Sequence, residues 1–401
     1  MKKILALILY DKRDLIIDQR KIRLINYLKK IIPIDEKLYL IDLTGFYLGK
    51  LDKDEYLYED EQIIYFKPKN IIDLKNFKKN KVIYGVGPVN PGFKNILAFL
   101  FLRYLNVKLI LINYYGYFLN ETSQKKKLIE TIHLFFNRYF NYIFFRILST
   151  FNIVPKIKIC FETSQIRIKE IEDSISKKIE KKLNFIKISY FEKIFRINSI
   201  YFDEILFNEK FENLNEDLVF IDSGVDHADN EKESIIHTRM IDKEFTVNYY
   251  KKVCKKLREI AKIYKIKKIF FCKHPKAKYY PECFDNYKDI LVNNDADRHI
   301  WSAKLVIFSG GSSMFNKAII LKKRILVFTA KENPPFNIRL INSLNRIFKL
   351  NILDIDVDIV DDNLTNDKYF NNLEYDNFIN KNLIFDKNIT SPKIIRSIIF
   401  N

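Results

Sequence analysis

Short apolar runs alternate with amphipathic stretches along almost the whole chain. In the first half, KILALILY (3–10), KLYLIDL (37–43), KVIYGVG (81–87) and KLILINYY (108–115) have the length and β-branched content of buried strands. Between them, IRLINYLKKI (22–31) and FKNILAFLFLRYL (93–105) read as helices. This is the strand–helix–strand rhythm of a parallel sheet. The second half repeats it with LVFID (218–222), IKKIFFC (266–272), DILVN (289–293), LVIF (305–308) and RILVF (324–328). Its best helix lies in NYYKKVCKKLREIAKIY (248–264), where Tyr250, Val253, Leu257, Ile260, Ala261 and Tyr264 form one apolar face. Helical stretches between most of the strands predict a doubly wound α/β sheet.

A chain of 401 residues suits two such domains better than one. The expected division is 1–210 and 211–401, with the boundary in YFDEILFNEKFENLNED (201–217). IRIKEIEDSISKKIEKKL (166–183) reads as a solvated helix, and the tail from 330 onward as containing a helix that returns to the first domain. No internal repeat is present.

Charge adds a constraint on partners. The formal net charge of +19 favours a polyanionic neighbour: a nucleotide, a nucleic acid or an anionic membrane surface. The basic residues are scattered and form no nucleic-acid-binding module, so a nucleic-acid partner is not expected. The segment from Lys125 to Lys158 has basic ends and aromatic residues throughout, but Glu130, Arg138 and Arg146 interrupt it. Such a pattern fits a helix lying on a membrane, and equally an aromatic core helix with basic flanks. Four cysteines without paired metal spacing suit a reducing cytoplasm. MKKILALILYDKRD at the start reads as a first strand and not as a signal peptide.

In doubly wound sheets ligands gather at the carboxyl ends of the strands. In the second half those ends are DSGVDHADN (222–230), KHPK (273–276), NDADR (294–298), SGGSS (309–313) and TAKEN (329–333), an unusually polar set. SGGSS leaves a buried strand and opens a helix. Gly310 and Gly311 let a ligand approach the backbone, and Ser312 or Ser313 caps the helix while offering a hydroxyl. That combination suits phosphate, although an ordinary serine-capped turn looks the same. His274, followed by Pro275 and Lys276, sits where an imidazole can meet a phosphate or a leaving group. The glycines of GVGP (85–88) serve a tight turn as readily as a ligand. Asp295-Ala296-Asp297 resembles a metal motif but reads better as a turn and helix cap.

His274-Pro275 after one strand and Ser312-Ser313 after another resemble the His-Pro and Ser-Ser motif pair of bacterial sialyltransferases. The likeness is to the lipooligosaccharide sialyltransferase and polysialyltransferase group, with relatives among capsule Kdo transferases. It covers roughly residues 217–330. The resemblance implies a GT-B fold, two Rossmann-like domains facing across a cleft, with the acceptor on the first and the nucleotide sugar on the second. It implies an inverting glycosyltransferase that moves a CMP-activated sugar onto a surface polysaccharide or lipooligosaccharide, without metal or other cofactor. His274, Ser312 and Ser313 would then hold the CMP phosphate, with Pro275, Lys276, Gly310 and Gly311 beside them. The family's acidic motif is matched only by Asp222-Ser223-Gly224, which leaves the base open among Asp222, Asp226, His227 and a residue of the first domain. YYGYFLNE (114–121) is a candidate acceptor loop. The expected place is the cytoplasm, peripheral on the anionic inner face of the cytoplasmic membrane, with an oligosaccharide or glycolipid acceptor. Two alternatives stand beside this reading. One is a CDP-glycerol-dependent glycerophosphotransferase, disfavoured by Gly310-Gly311 where that class has an acidic residue and a tyrosine. The other is a non-catalytic polyanion binder.

Overall fold

The computed structural model describes residues 1–9, 19–43, 60–87, 96–113, 148, 155, 157–169, 191–207, 216–224, 242–274, 277, 279–330, 335–357 and 372–401. The chain forms two compact α/β units. Residues 1–116, 125–203 and 384–401 make the first, and residues 117–124 and 204–383 make the second.

The first unit is built on seven strands: β1 (Lys2–Leu9), β2 (Leu38–Asp42), β3 (Ile63–Phe66), β4 (Lys81–Val86), β5 (Lys108–Asn113), β6 (Ile157–Glu162) and β7 (Phe191–Arg196). Their order is β3-β2-β1-β4-β5-β6-β7, and every pairing is parallel. The second unit has β8 (Asp217–Ile221), β9 (Lys268–Cys272), β10 (Ile290–Asn293), β11 (Ala303–Phe308), β12 (Arg324–Thr329) and β13 (Asn351–Asp354). Their order is β10-β9-β8-β11-β12-β13, again all parallel. Both sheets start at a central strand, run outward to one edge, then return and run to the other, so each unit is Rossmann-like.

Burial on both faces explains the continuous apolar runs. In β8 every residue is buried, and in β11 only Lys304 is exposed. Of the helices, α1 (Gln19–Ile31), α2 (Ile71–Lys78), α3 (Ile96–Tyr104) and part of α4 (Ile200–Phe207) belong to the first unit. The rest of α4 and α5 (Lys243–Ile263), α6 (Ala296–Ser302), α7 (Met314–Ile320), α8 (Pro335–Phe348) and α9 (Asn372–Asn382) belong to the second. Helix α5 begins at Asp242, whose carboxylate accepts the Phe245 N–H at 2.7 Å, and buries Tyr250, Val253, Leu257 and Ile260 in the core of its unit.

Several helices stop on a left-handed residue that is not glycine. Asn80, Asn106, Lys265, Lys322 and Lys349 have φ between 50° and 63° and follow α2, α3, α5, α7 and α8. After α5 the Ile266 N–H returns to the Ala261 carbonyl at 2.8 Å, and after α7 the Lys323 N–H returns to Ala318 at 2.9 Å. These are Schellman closures made with asparagine or lysine.

The last helix, α10 (Ser391–Phe400), packs on α1 within the first unit. Arg396 donates to the carbonyls of Lys30, Ile31 and Ile32 at 2.7–2.8 Å, which closes the end of α1. The chain that leads into α10 is held by Asn198. Its amide donates to the carbonyls of Asp386 (2.8 Å) and Ile389 (2.7 Å) and accepts the N–H groups of Phe385 (2.7 Å) and Asp386 (2.9 Å).

Some expectations needed adjustment. Ile157 and Lys158, taken as the end of the basic aromatic segment, open β6, a strand between two others. Apart from Leu148 and Pro155, the remainder of that segment lies outside the described residues, as do 114–121 and 170–183. Strands β3, β6, β7 and β13 did not stand out in the sequence. Three of them, β3, β7 and β13, are sheet edges: β3 is apolar but only four residues long, charged residues interrupt β7, and Asn351 and Asp354 bound β13. Among the described residues, no helix is long and apolar enough to cross a membrane.

Candidate functional site

The strand order of the second unit places β8 between β9 and β11, at the point where the sheet reverses direction. Register sets the rest. Cys272, Ile221 and Phe308 end their strands side by side, so Lys273, Asp222 and Ser309 follow as neighbours. The Asp222 N–H continues the ladder to the Cys272 carbonyl (3.1 Å), and the Ser309 N–H to the Ile221 carbonyl (3.3 Å).

Asp222 is only 3% exposed, and its carboxylate collects three hydroxyls from three elements. Tyr250 on α5 donates to Oδ2 at 2.8 Å. Tyr279, in the loop after β9, donates to the same oxygen through a short hydrogen bond. Ser309 donates to Oδ1 at 3.1 Å. Burial pushes this carboxyl above the ordinary aspartate range, and the hydroxyl donors oppose the rise. Burial and the adjacent Asp222 raise the Tyr279 phenol, so the proton stays on the tyrosine. Ser309 Oγ also accepts the Ser223 N–H at 2.9 Å and lies 3.0 Å from Ser223 Oγ.

His274 is half-buried and belongs to this assembly. Its backbone N–H donates to the Tyr279 hydroxyl at 2.7 Å, and its carbonyl accepts the Ala277 N–H at 3.2 Å. The imidazole lies against Gly224. A Cβ at that position would come within 3.0 Å of Nδ1 and 3.1 Å of Cγ. Gly224 has φ +72°, so both its backbone and its neighbour require glycine.

Beyond Ser309 the turn reaches α7. Ser313 stands at the N-cap with helical backbone and makes no capping bond through its side chain. Ser312 Oγ instead accepts the Met314 N–H at 3.3 Å. Gly311, Ser312 and Ser313 are partly exposed, whereas Ser309 and Gly310 are buried. Asp226, His227, Pro275 and Lys276 lie outside the described residues.

The Asp295-Ala296-Asp297 pair is engaged elsewhere. Asp295 caps α6 by accepting the Arg298 N–H at 3.1 Å, and Asp297 pairs with the buried Lys317 at 2.8 Å. Among the described residues, no cluster of three His, Cys, Asp or Glu could hold a metal ion. Burial pushes the thiols of Cys160, Cys254 and Cys272 up to about 12, which leaves them protonated and unreactive. In the first unit, GVGP also has a packing role. A Cβ on Gly85 would lie 2.6 Å from Val107 Cγ1, and one on Gly87 would lie 3.3 Å from Ile8 Cβ.

Sequence reasoning singled out Asp222, His274, Ser312 and Ser313; the structure joins Asp222 and His274 in one network, but the serine in it is Ser309, which was not among the residues singled out. Sequence reasoning also did not find Tyr250 or Tyr279. Tyr250 looked like one more position on an apolar helix face, and nothing in the run KYYPE marks Tyr279.

No family model matches the chain, and no curated protein matches its sequence. Solved structures similar to it include the Staphylococcus aureus MnaA–UDP co-structure (10% identity, 100% of this chain and 95% of that chain, TM-score 0.46). Arabidopsis thaliana UGT89C1 is another (10% identity, 100% and 99%, TM-score 0.47), as is Acinetobacter baumannii MurG (9% identity, 100% and 99%, TM-score 0.41). Likeness this distant assigns no substrate and no residue role.

Proposed function

We propose that the chain is an inverting glycosyltransferase of GT-B type that uses a CMP-activated sugar and acts on a bacterial surface polysaccharide or lipooligosaccharide. One observation carries the reading: a single buried carboxylate, Asp222, joins the His274 loop to the SGGSS turn at the reversal point of a Rossmann-like sheet. A nucleotide phosphate suits this turn, since glycines at 310 and 311 let a ligand approach the backbone, Gly311 to Ser313 are partly exposed, and the Ser313 hydroxyl is not used in capping. His274, with Lys276 beside it, offsets charge on departing CMP. Inversion needs a carboxylate that takes the acceptor's proton. Asp222, buried and already accepting three hydroxyls, serves better as the organiser of the loops, and Asp226 is the proposed base.

In this scheme cationic side chains such as His274 stabilise the departing phosphate without a metal, and the Asp-Ala-Asp pair is engaged in capping and in an ion pair. Transfer rates are expected to be unchanged by EDTA, and strict dependence on magnesium or manganese contradicts that part. The charge of +19 and the basic, aromatic sequence of 125–156 support residence on an anionic membrane surface.

Calorimetry with CMP, CDP, UMP and GMP tests the reading. Wild type is expected to bind CMP far more tightly than UMP or GMP, and His274→Ala and Ser312→Ala to bind it measurably but far more weakly. Absence of nucleotide binding in wild type overturns it.

A further inference from the structure

Tyr279 has no role in the scheme above, yet its hydroxyl occupies the junction between the buried acid and the histidine. It donates to Asp222 Oδ2 and accepts the His274 N–H at 2.7 Å. Its ring is fixed independently of that hydroxyl. Tyr250 lies 5.1 Å away, Phe271 meets it edge-on at 6.1 Å, and Lys273 Nζ sits 5.0 Å over its face. The loop that carries His274 leaves the sheet at Lys273, whose N–H still bonds to the Asn293 carbonyl. One residue later the sheet no longer supplies the acceptor, and the phenol does.

The imidazole's other constraint is Gly224, against which it rests. Gly224 is held both directly and through its neighbour: its N–H donates to the Asp222 carboxylate, and the Ser223 N–H donates to Ser309 Oγ. Both the floor under the imidazole and the anchor of its backbone therefore lead to the two oxygens of Asp222, through Ser309 on Oδ1 and Tyr279 on Oδ2.

We propose that Tyr279 is a positioning residue for His274. Its hydroxyl relays the fixed position of Asp222 to the His274 backbone, so that the imidazole faces the phosphate held by the SGGSS turn. The positioning claim concerns the free protein, and its effect on binding rests on the nucleotide reading given above.

The test uses Tyr279→Phe in the full-length chain, which keeps the ring and removes only the hydroxyl. In amide NMR spectra the His274 N–H signal is expected to shift and to exchange about tenfold faster with solvent, having lost its acceptor. Tyr250→Phe, which removes a different donor to the same oxygen, is expected to move that signal less. CMP affinity is expected to fall about fivefold to tenfold in Tyr279→Phe, and the fall to vanish when His274 is already alanine. An unmoved His274 amide overturns the proposal, as does a Tyr250→Phe effect as large as that of Tyr279→Phe. Equal losses of CMP affinity with and without His274 also overturn it, since they mean that Tyr279 acts elsewhere. If wild type binds no CMP, the nucleotide reading fails, and the amide measurement alone decides whether Tyr279 positions His274.

Discussion

Two buried aspartates, one in each unit, show how similar sheets are put to different uses. Asp203 accepts the Ser391 N–H on both oxygens, at 3.0 and 3.2 Å, beside the Asn198 amide. Its partners secure the segment that leads into the last helix. Asp222 accepts hydroxyls from three elements that meet at a strand-end loop. The glycines divide in the same way. Gly85 and Gly87 keep strand β4 close to Ile8 and Val107, whereas Gly224 gives room to a histidine. The acid whose partners lie in one returning segment splices the fold together, and the one that gathers hydroxyls from three elements organises a site.

The largest effect should come from Asn198→Ala. It leaves two carbonyls and two N–H groups of the segment before α10 without partners. A loss of about 3 kcal/mol or more is expected in denaturant unfolding. A loss below about 1 kcal/mol would mean that water replaces the clamp and the contrast with Asp222 is weaker than drawn.

Asp203 gives a pH test. Burial raises its carboxyl from the ordinary 3.8 to about 6 in the folded chain. A raised folded value means that this group favours folding below its unfolded pKa, and that the advantage is lost as pH rises through about 6. Asp203→Asn is therefore expected to gain on wild type by up to about 3 kcal/mol between pH 4 and pH 8, measured as the difference between their unfolding curves. A difference that stays flat across that range would refute the burial cost.

Gly85→Ala sharpens the glycine contrast. The added methyl meets Val107 Cγ1 and should cost about 1–3 kcal/mol while leaving CMP affinity intact. Loss of CMP binding at unchanged stability would instead move the ligand to the first unit. The smallest effect should be a gain. Lys265→Gly relieves a left-handed lysine at φ 52° and is expected to stabilise by about 0.5–1 kcal/mol.

That lysine also shows what the sequence concealed. The chain has only nine glycines, and it closes helices on asparagine and lysine, so the usual stop signals are missing. Central strands were legible because burial on both faces demands unbroken apolar runs, as in LVIF and KIFFC. Edge strands such as Phe191–Arg196 and Asn351–Asp354 were not, since exposure lets polar residues in. At the site, His274, Asp222 and the serines were visible as polar residues after apolar runs. The link among them was not, because its donors come from positions 250, 279 and 309, and only folding brings these together.

In the proposed function the reversal point of the second sheet, and not that of the first, holds the nucleotide phosphate. Titrating CMP into nitrogen-15-labelled protein and following the amide signals tests it most directly. The largest shifts are expected at Gly310, Gly311, Ser312, Ser313, Gly224 and His274, with Gly85, Gly87 and Asn198 unmoved. Shifts centred on Gly85 and Gly87, or none anywhere at saturating CMP, would contradict it.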